Sequence, residues 1–133
     1  MQIRRTFRLL VAAGCLAPLA GCLGGTTEHI AVTGIYELST VNGKALPYTF
    51  SNGVSVTKEL LTINTDGSFT DVTTRADGSV ISNLGSYSNF GGTVNFIDQT
   101  IGVVYQGMVS GTQLTIKIGD YSSVFFRTGA APK

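Results

Sequence analysis

From Val32 onward, apolar and polar positions alternate with a period of two, and no segment sustains a helical period. Side chains along an extended chain point to opposite faces in turn, so this alternation marks strands with one buried face. Turn pairs interrupt it at short, even intervals: Asn42-Gly43, Asn52-Gly53, Asp66-Gly67, Asp77-Gly78, Gly91-Gly92, Ser110-Gly111 and Gly119-Asp120. The pattern predicts strands at 32–41, 45–51, 54–64, 68–75, 79–89, 93–99, 103–109, 112–118 and 121–128. Evenly spaced short strands joined by tight turns imply an antiparallel sandwich or barrel.

Register decides which residues share the inside. Partners across a hairpin must bring side chains of one face together. A two-residue turn at Gly91-Gly92 pairs Tyr87 with Phe96 and Asn89 with Val94. A two-residue turn at Ser110-Gly111 pairs Val109 with Thr112, Gly107 with Leu114 and Tyr105 with Ile116. One face then carries Val103, Tyr105, Val109, Leu114, Ile116 and Ile118, and that face is the inside. At Asp66-Gly67 a three-residue loop with Gly67 left-handed keeps Ile63 and Phe69 on one face. The same register turns Asp71 inward, which calls for a bulge or a rim position. Gly119-Asp120 brings Tyr121, Ser123 and Phe125 to the face of Ile118, Ile116 and Leu114, with Arg127 farther along it. A sheet with one apolar face must stack or close, and closure removes its exposed edges. The expected fold is therefore all-β, a single antiparallel up-and-down β-barrel of eight to nine short strands.

The first thirty residues follow different rules. Arg4, Arg5 and Arg8 precede an apolar run from Leu9 to Ala20 that contains Gly14 and Pro18. The run is too short for a spanning helix, which needs about 20 residues, and its layout is that of an export signal. Its end, Leu19-Ala20-Gly21-Cys22, resembles the lipobox of bacterial lipoproteins. The resemblance implies cleavage before Cys22 and lipidation of Cys22. Several acyl chains make a durable membrane anchor where one does not. By resemblance to the sorting pattern of two-membrane bacteria, Leu23 in place of Asp favours the outer membrane over the inner one. The chain then divides into a signal peptide at 1–21, a lipidated flexible tether at 22–31, the barrel domain at 32–128 and a disordered tail at 129–133.

Processing changes the charge balance. The whole chain of 133 residues has formal charge +1, but the mature part carries six basic and eight acidic residues, a net charge of −2. No basic patch is present, which argues against nucleic acid. Cys15 leaves with the signal and Cys22 takes the lipid, so disulfides, thiolate metal sites and a cysteine nucleophile are not expected.

Gly34-Ile35-Tyr36, "LTINTDGSFT", "GSYSNFGGTVNF", "GMVSGTQLTI" and "VFFR" together resemble the lipocalin-like small barrels of bacterial lipoproteins and secreted proteins. The likeness spans Val32 to Thr128. It implies that Tyr36 and Arg127 close the base of the barrel by stacking, with Tyr where that family usually has Trp.

Catalysis has little support. His29 is the sole histidine and lies in the tether, so neither a Ser-His-Asp set nor a histidine metal site is complete. Asp66, Asp77 and Asp120 sit in turns. Glu37, Glu59, Asp71 and Asp98 are read as solvated strand charges. A non-catalytic binding role remains, with no cofactor and no metal, in one of two forms. Phe69, Tyr87, Phe96, Tyr105, Tyr121 and Phe125 are candidate lining for a small apolar ligand, which predicts an enclosed apolar cavity of about 300 Å³ or more. Alternatively those rings fill the barrel, and outward Val104, Met108, Val124 and Phe126 meet an envelope protein.

Overall fold

In a computed structural model that describes residues 30–133, ten strands build one antiparallel sheet closed on itself. They are β1 (Gly34–Val41), β2 (Lys44–Ala45), β3 (Tyr48–Thr49), β4 (Ser55–Ile63), β5 (Ser68–Arg75), β6 (Val80–Phe90), β7 (Thr93–Asp98), β8 (Val103–Ser110), β9 (Gln113–Ile118) and β10 (Tyr121–Gly129). Strands β4 to β10 pair in chain order, and β1 closes the ring by pairing with both β10 and β4. Eight strands thus form the barrel wall. The short β2 and β3 are an excursion on one side. The expected signal peptide, with Cys22, His29 and most of the expected tether, lies outside the described residues.

The expected strand at 45–51 is instead two two-residue strands with Pro47 between them. Proline has no N–H for a ladder and a fixed φ, so it breaks a strand. The excursion still packs Leu46, Tyr48 and Phe50 against the core. β10 runs to Gly129, one residue past the expected boundary.

Three hairpin registers agree with the sequence reading, among them Tyr121 facing Ile118 across Gly119-Asp120. Tyr87 faces Phe96 across Gly91-Gly92, and Ile63 faces Phe69 across a loop in which Gly67 has φ 88°. The β8–β9 register differs by two residues: Val109 faces Leu114 and Gly107 faces Ile116. The turn is Gly111-Thr112, with Gly111 at φ 60°. A type II′ turn wants glycine at its first central position, and only this frame supplies it. A shift of two leaves every side chain on its original face, so the inner face is the one the alternation predicts.

The interior is packed by Tyr36, Leu38, Leu61, Ile63, Phe69, Val94, Phe96, Leu114, Ile116 and Phe125, all buried. Each large apolar side chain so buried contributes roughly 1.5–3 kcal/mol. Phe69 meets Phe96 edge-on at 5.1 Å, and Phe96 stacks on Tyr105 at 5.1 Å. The barrel has two unlike ends. Its base carries the β4–β5, β6–β7 and β8–β9 turns with Val32. Its mouth carries the β5–β6, β7–β8 and β9–β10 turns and the excursion.

Candidate functional site

The base is sealed. Tyr36 and Arg127 are cross-strand partners, and the guanidinium carbon lies 5.1 Å from the ring centroid. Arg127 Nε donates to the Tyr36 hydroxyl at 3.1 Å, and Nη2 donates to that hydroxyl and to the Ala31 carbonyl. The hydroxyl in turn donates to the Val32 carbonyl at 2.8 Å. The cation thus lies over an aromatic ring and binds its polar edge, locking the first described residues to the last strand.

The mouth is hollow. A cavity of about 250 Å³ opens there, walled by Leu61, Tyr105, Ile116, Ser123 and Phe125, with Ile101, Val103 and Ile118 at the rim. Into the same cavity face Glu59, Asp71, Asn83 and Asp98. Alternation explains this placement. Glu59 has the parity of Leu61 and Ile63 on β4, Asp71 that of Phe69 on β5, and Asp98 that of Phe96 and Val94 on β7. Reading Glu59, Asp71 and Asp98 as solvated strand charges is therefore incorrect: they line the interior. Only Glu37, on the opposite parity, stays on the outer wall beside Phe126.

Three acids in one cavity perturb one another. Burial, then the Asp71 charge and a hydrogen bond with Asp71, push Glu59 up to about 8. Burial and the Asp98 charge push Asp71 up to about 7, while the bond from Glu59 opposes that rise. Both groups are raised, so the pair shares a proton near neutral pH. With both groups ionised, Asp71 Oδ1 is buried without a donor. Asp98 is only 2 % exposed, and its Oδ1 accepts the Thr100 and Ile101 N–H groups at 2.9 and 3.1 Å. That bonding pins the β7–β8 turn at the rim. Burial, with the three carboxylates around it, also raises the Tyr105 hydroxyl well above its usual range.

The six expected lining rings separate. Phe69 and Phe96 are core filling, and Phe125 is buried with part of its ring on the cavity wall. Tyr105 lines the cavity. Tyr87 is at the base and donates to the Asn64 carbonyl at 2.6 Å. Tyr121 packs edge-on against Phe50 at 4.9 Å, and its hydroxyl lies 2.8 Å from Ser51 Oγ. The cavity is smaller than the expected 300 Å³, open, and acidic where an apolar lining was expected. The rings occupy most of the interior, and strand parity carries the acids into what remains.

On the outer wall, Val104, Met108 and Phe126 are exposed and Val124 is half-buried. They do not merge. The cross-strand row Phe90–Thr93–Met108–Thr115–Val124 alternates apolar residues with threonine, and the row Asn95–Gln106–Lys117–Ser122 divides Val104 from Met108. A groove of about 560 Å³ crosses this wall over Thr93, Gln106, Met108, Thr115 and Lys117.

No family model matches the chain, and no curated protein matches it either. Among solved structures, a lipocalin-like protein from Bacteroides uniformis is similar, with a TM-score of 0.50 and 18% identity. The match covers 71% of this chain and 96% of that one. At that identity the likeness concerns the fold: this chain is a closed, antiparallel, lipocalin-like barrel of eight strands with two short additions.

Proposed function

We propose that the chain is a lipid-anchored envelope protein whose barrel takes a small ligand at its mouth. The mouth cavity carries this reading. It joins an apolar wall to a few polar groups, the usual composition of a ligand site, and one of those groups is a buried, unpartnered oxygen. At about 250 Å³ it suits a small molecule or one end of a larger one. The anchor rests on the Leu19-to-Cys22 motif, and the outer membrane on Leu23. The role is binding rather than catalysis. Glu59 and Asp71 come from the adjacent paired strands β4 and β5 and share one wall of the cavity, rather than flanking a cleft as an acid–base pair does.

The test is native mass spectrometry of the full chain purified from its own host. A retained small molecule that disappears in a Ser123→Trp variant, whose indole fills the cavity, supports the reading. A molecule equally retained by that variant contradicts it. For the anchor, Cys22→Ser should move the protein out of the membrane fraction; unchanged membrane association would refute lipidation.

A second reading, a protein partner on the outer wall, has the exposure of Met108 and Phe126 behind it. The polar rows that divide that wall favour the mouth.

A further inference from the structure

Nothing at the mouth balances its charge. No lysine, arginine or histidine lines the cavity among the described residues. Asp71 Oδ1 is buried and has no donor. Asp98 is more than nine-tenths buried, and its Oδ1 is taken by two backbone N–H groups. An unpaired buried oxygen is costly, and an unpaired buried charge more so. Two things can supply the missing donors: a proton shared among the acids, or an N–H-bearing cation from outside. The rim also matters. Ile101, Val103 and Ile118 are exposed around the opening, apolar surface that a hydrated inorganic cation leaves uncovered.

We infer that the mouth binds a small organic cation, a primary ammonium on an apolar body, with its N–H groups on Asp71 and Asp98 and its body against Ile101, Val103 and Ile118. This rests on the mouth being the ligand site. In the empty barrel a proton shared by Glu59 and Asp71 removes one charge of the cluster. When the ammonium arrives, it supplies the positive charge and the donors, and the shared proton leaves to solvent. Binding and protonation therefore compete. The titratable groups facing Asp71 are Glu59 from β4, Asp98 from β7 and Tyr105 from β8. Glu59 and Asp71 titrate near 8 and 7, so affinity rises with pH between 6 and 8, and binding releases protons in that window. The 250 Å³ volume favours a body no larger than one aromatic ring.

The experiment is calorimetric titration of the full chain in detergent with phenethylammonium, its neutral isostere 2-phenylethanol, and calcium. The expected result is at least tenfold tighter binding of phenethylammonium than of the alcohol at pH 8, the scale of a hydrogen bond to a charged group. Proton release at pH 7 should accompany it, seen as a heat that depends on the buffer. Asp71→Asn should weaken phenethylammonium at least tenfold while raising the melting temperature, a pairing that misfolding does not produce. Partition into detergent is common to both proteins and cancels. Equal binding of alcohol and ammonium overturns the cation assignment and leaves the mouth as a ligand site. Failure of both to bind at millimolar concentration overturns both readings. Calcium binding that displaces phenethylammonium replaces the organic cation with a metal and also overturns the inference.

Discussion

Asp71 stands directly across from Leu61 on the inner wall, a carboxyl group paired with a core aliphatic residue. Its neighbour along β5 on the same face is Phe69, which is fully buried. A barrel of this size has room for few such exceptions, and here three acids are gathered at one end.

Stability should fall as the solution becomes alkaline. Glu59 and Asp71 titrate near 8 and 7 in the fold, against ordinary values of 4.5 and 3.8. Their folded-state values are raised, so the folded barrel binds more protons than the unfolded chain between about pH 4 and pH 8. The stabilisation from these protons is complete below the ordinary values and is lost as pH rises through the raised ones. Asp66 and Asp77, held low by Ser68 and Ser79, act in the opposite sense below pH 4, but they are fully exposed and weak. The melting temperature should be higher at pH 5 than at pH 8.5 by at least about 10 °C, the equivalent of ~2 kcal/mol or more. Thermal scans across that range check it, and a flat profile would contradict the inward placement of the acids.

Asp71→Asn keeps the shape and removes one charge. The amide still accepts from Glu59 and supplies a donor of its own. The variant should gain about 1–2 kcal/mol at pH 8, with little change at pH 5. Chemical denaturation at the two values measures the difference. A loss at pH 8 would mean that Asp71 is satisfied in a way the structure does not show.

Much of this arrangement was legible in the alternation itself. The Ile63–Phe69 register already turned Asp71 inward, and Glu59 and Asp98 follow by the same parity from Leu61 and Phe96. What misled was the general rule that acids on strands face water, which outweighed a register that said otherwise for these three. The β8–β9 turn was misplaced because Ser110-Gly111 and Gly111-Thr112 both contain the one glycine that matters. Parity is blind to a shift of two. The excursion around Pro47 and the cavity itself depend on how much space the rings leave, and no one-dimensional pattern encodes that.

The lock at the base should behave as a coupled unit. Tyr36→Phe removes the hydroxyl that joins Arg127 to the Val32 carbonyl, at a cost of about 1–3 kcal/mol. Arg127→Ala loses the same bond together with the contact over the ring. The double variant should therefore cost less than the sum of the single ones, by about 1 kcal/mol or more. Simple additivity in denaturation experiments would show that the two residues act separately.

Gly85 tests how closely the wall is packed. A Cβ placed there would lie 2.0 Å from the Ile97 carbonyl oxygen and 2.7 Å from the Phe69 ring. The obstacle is backbone, which yields poorly. Gly85→Ala should destabilise the barrel by about 3 kcal/mol, at the upper end of the usual overpacking cost. Gly78→Ala serves as the comparison, since no atom lies within 4 Å of its added Cβ and only its φ of 84° opposes the change. A Gly85→Ala barrel as stable as the parent would place β6 and β7 farther apart than they are here.

The central claim is that carboxyl groups share protons inside the barrel mouth. Side-chain carboxyl carbon NMR, followed from pH 3 to pH 10 on the intact protein, reads this directly. Glu59 and Asp71 should titrate near 8 and 7, each responding to the other, and Asp71→Asn should return Glu59 toward its ordinary value. Two independent transitions near pH 4 would put both acids in water and remove the site.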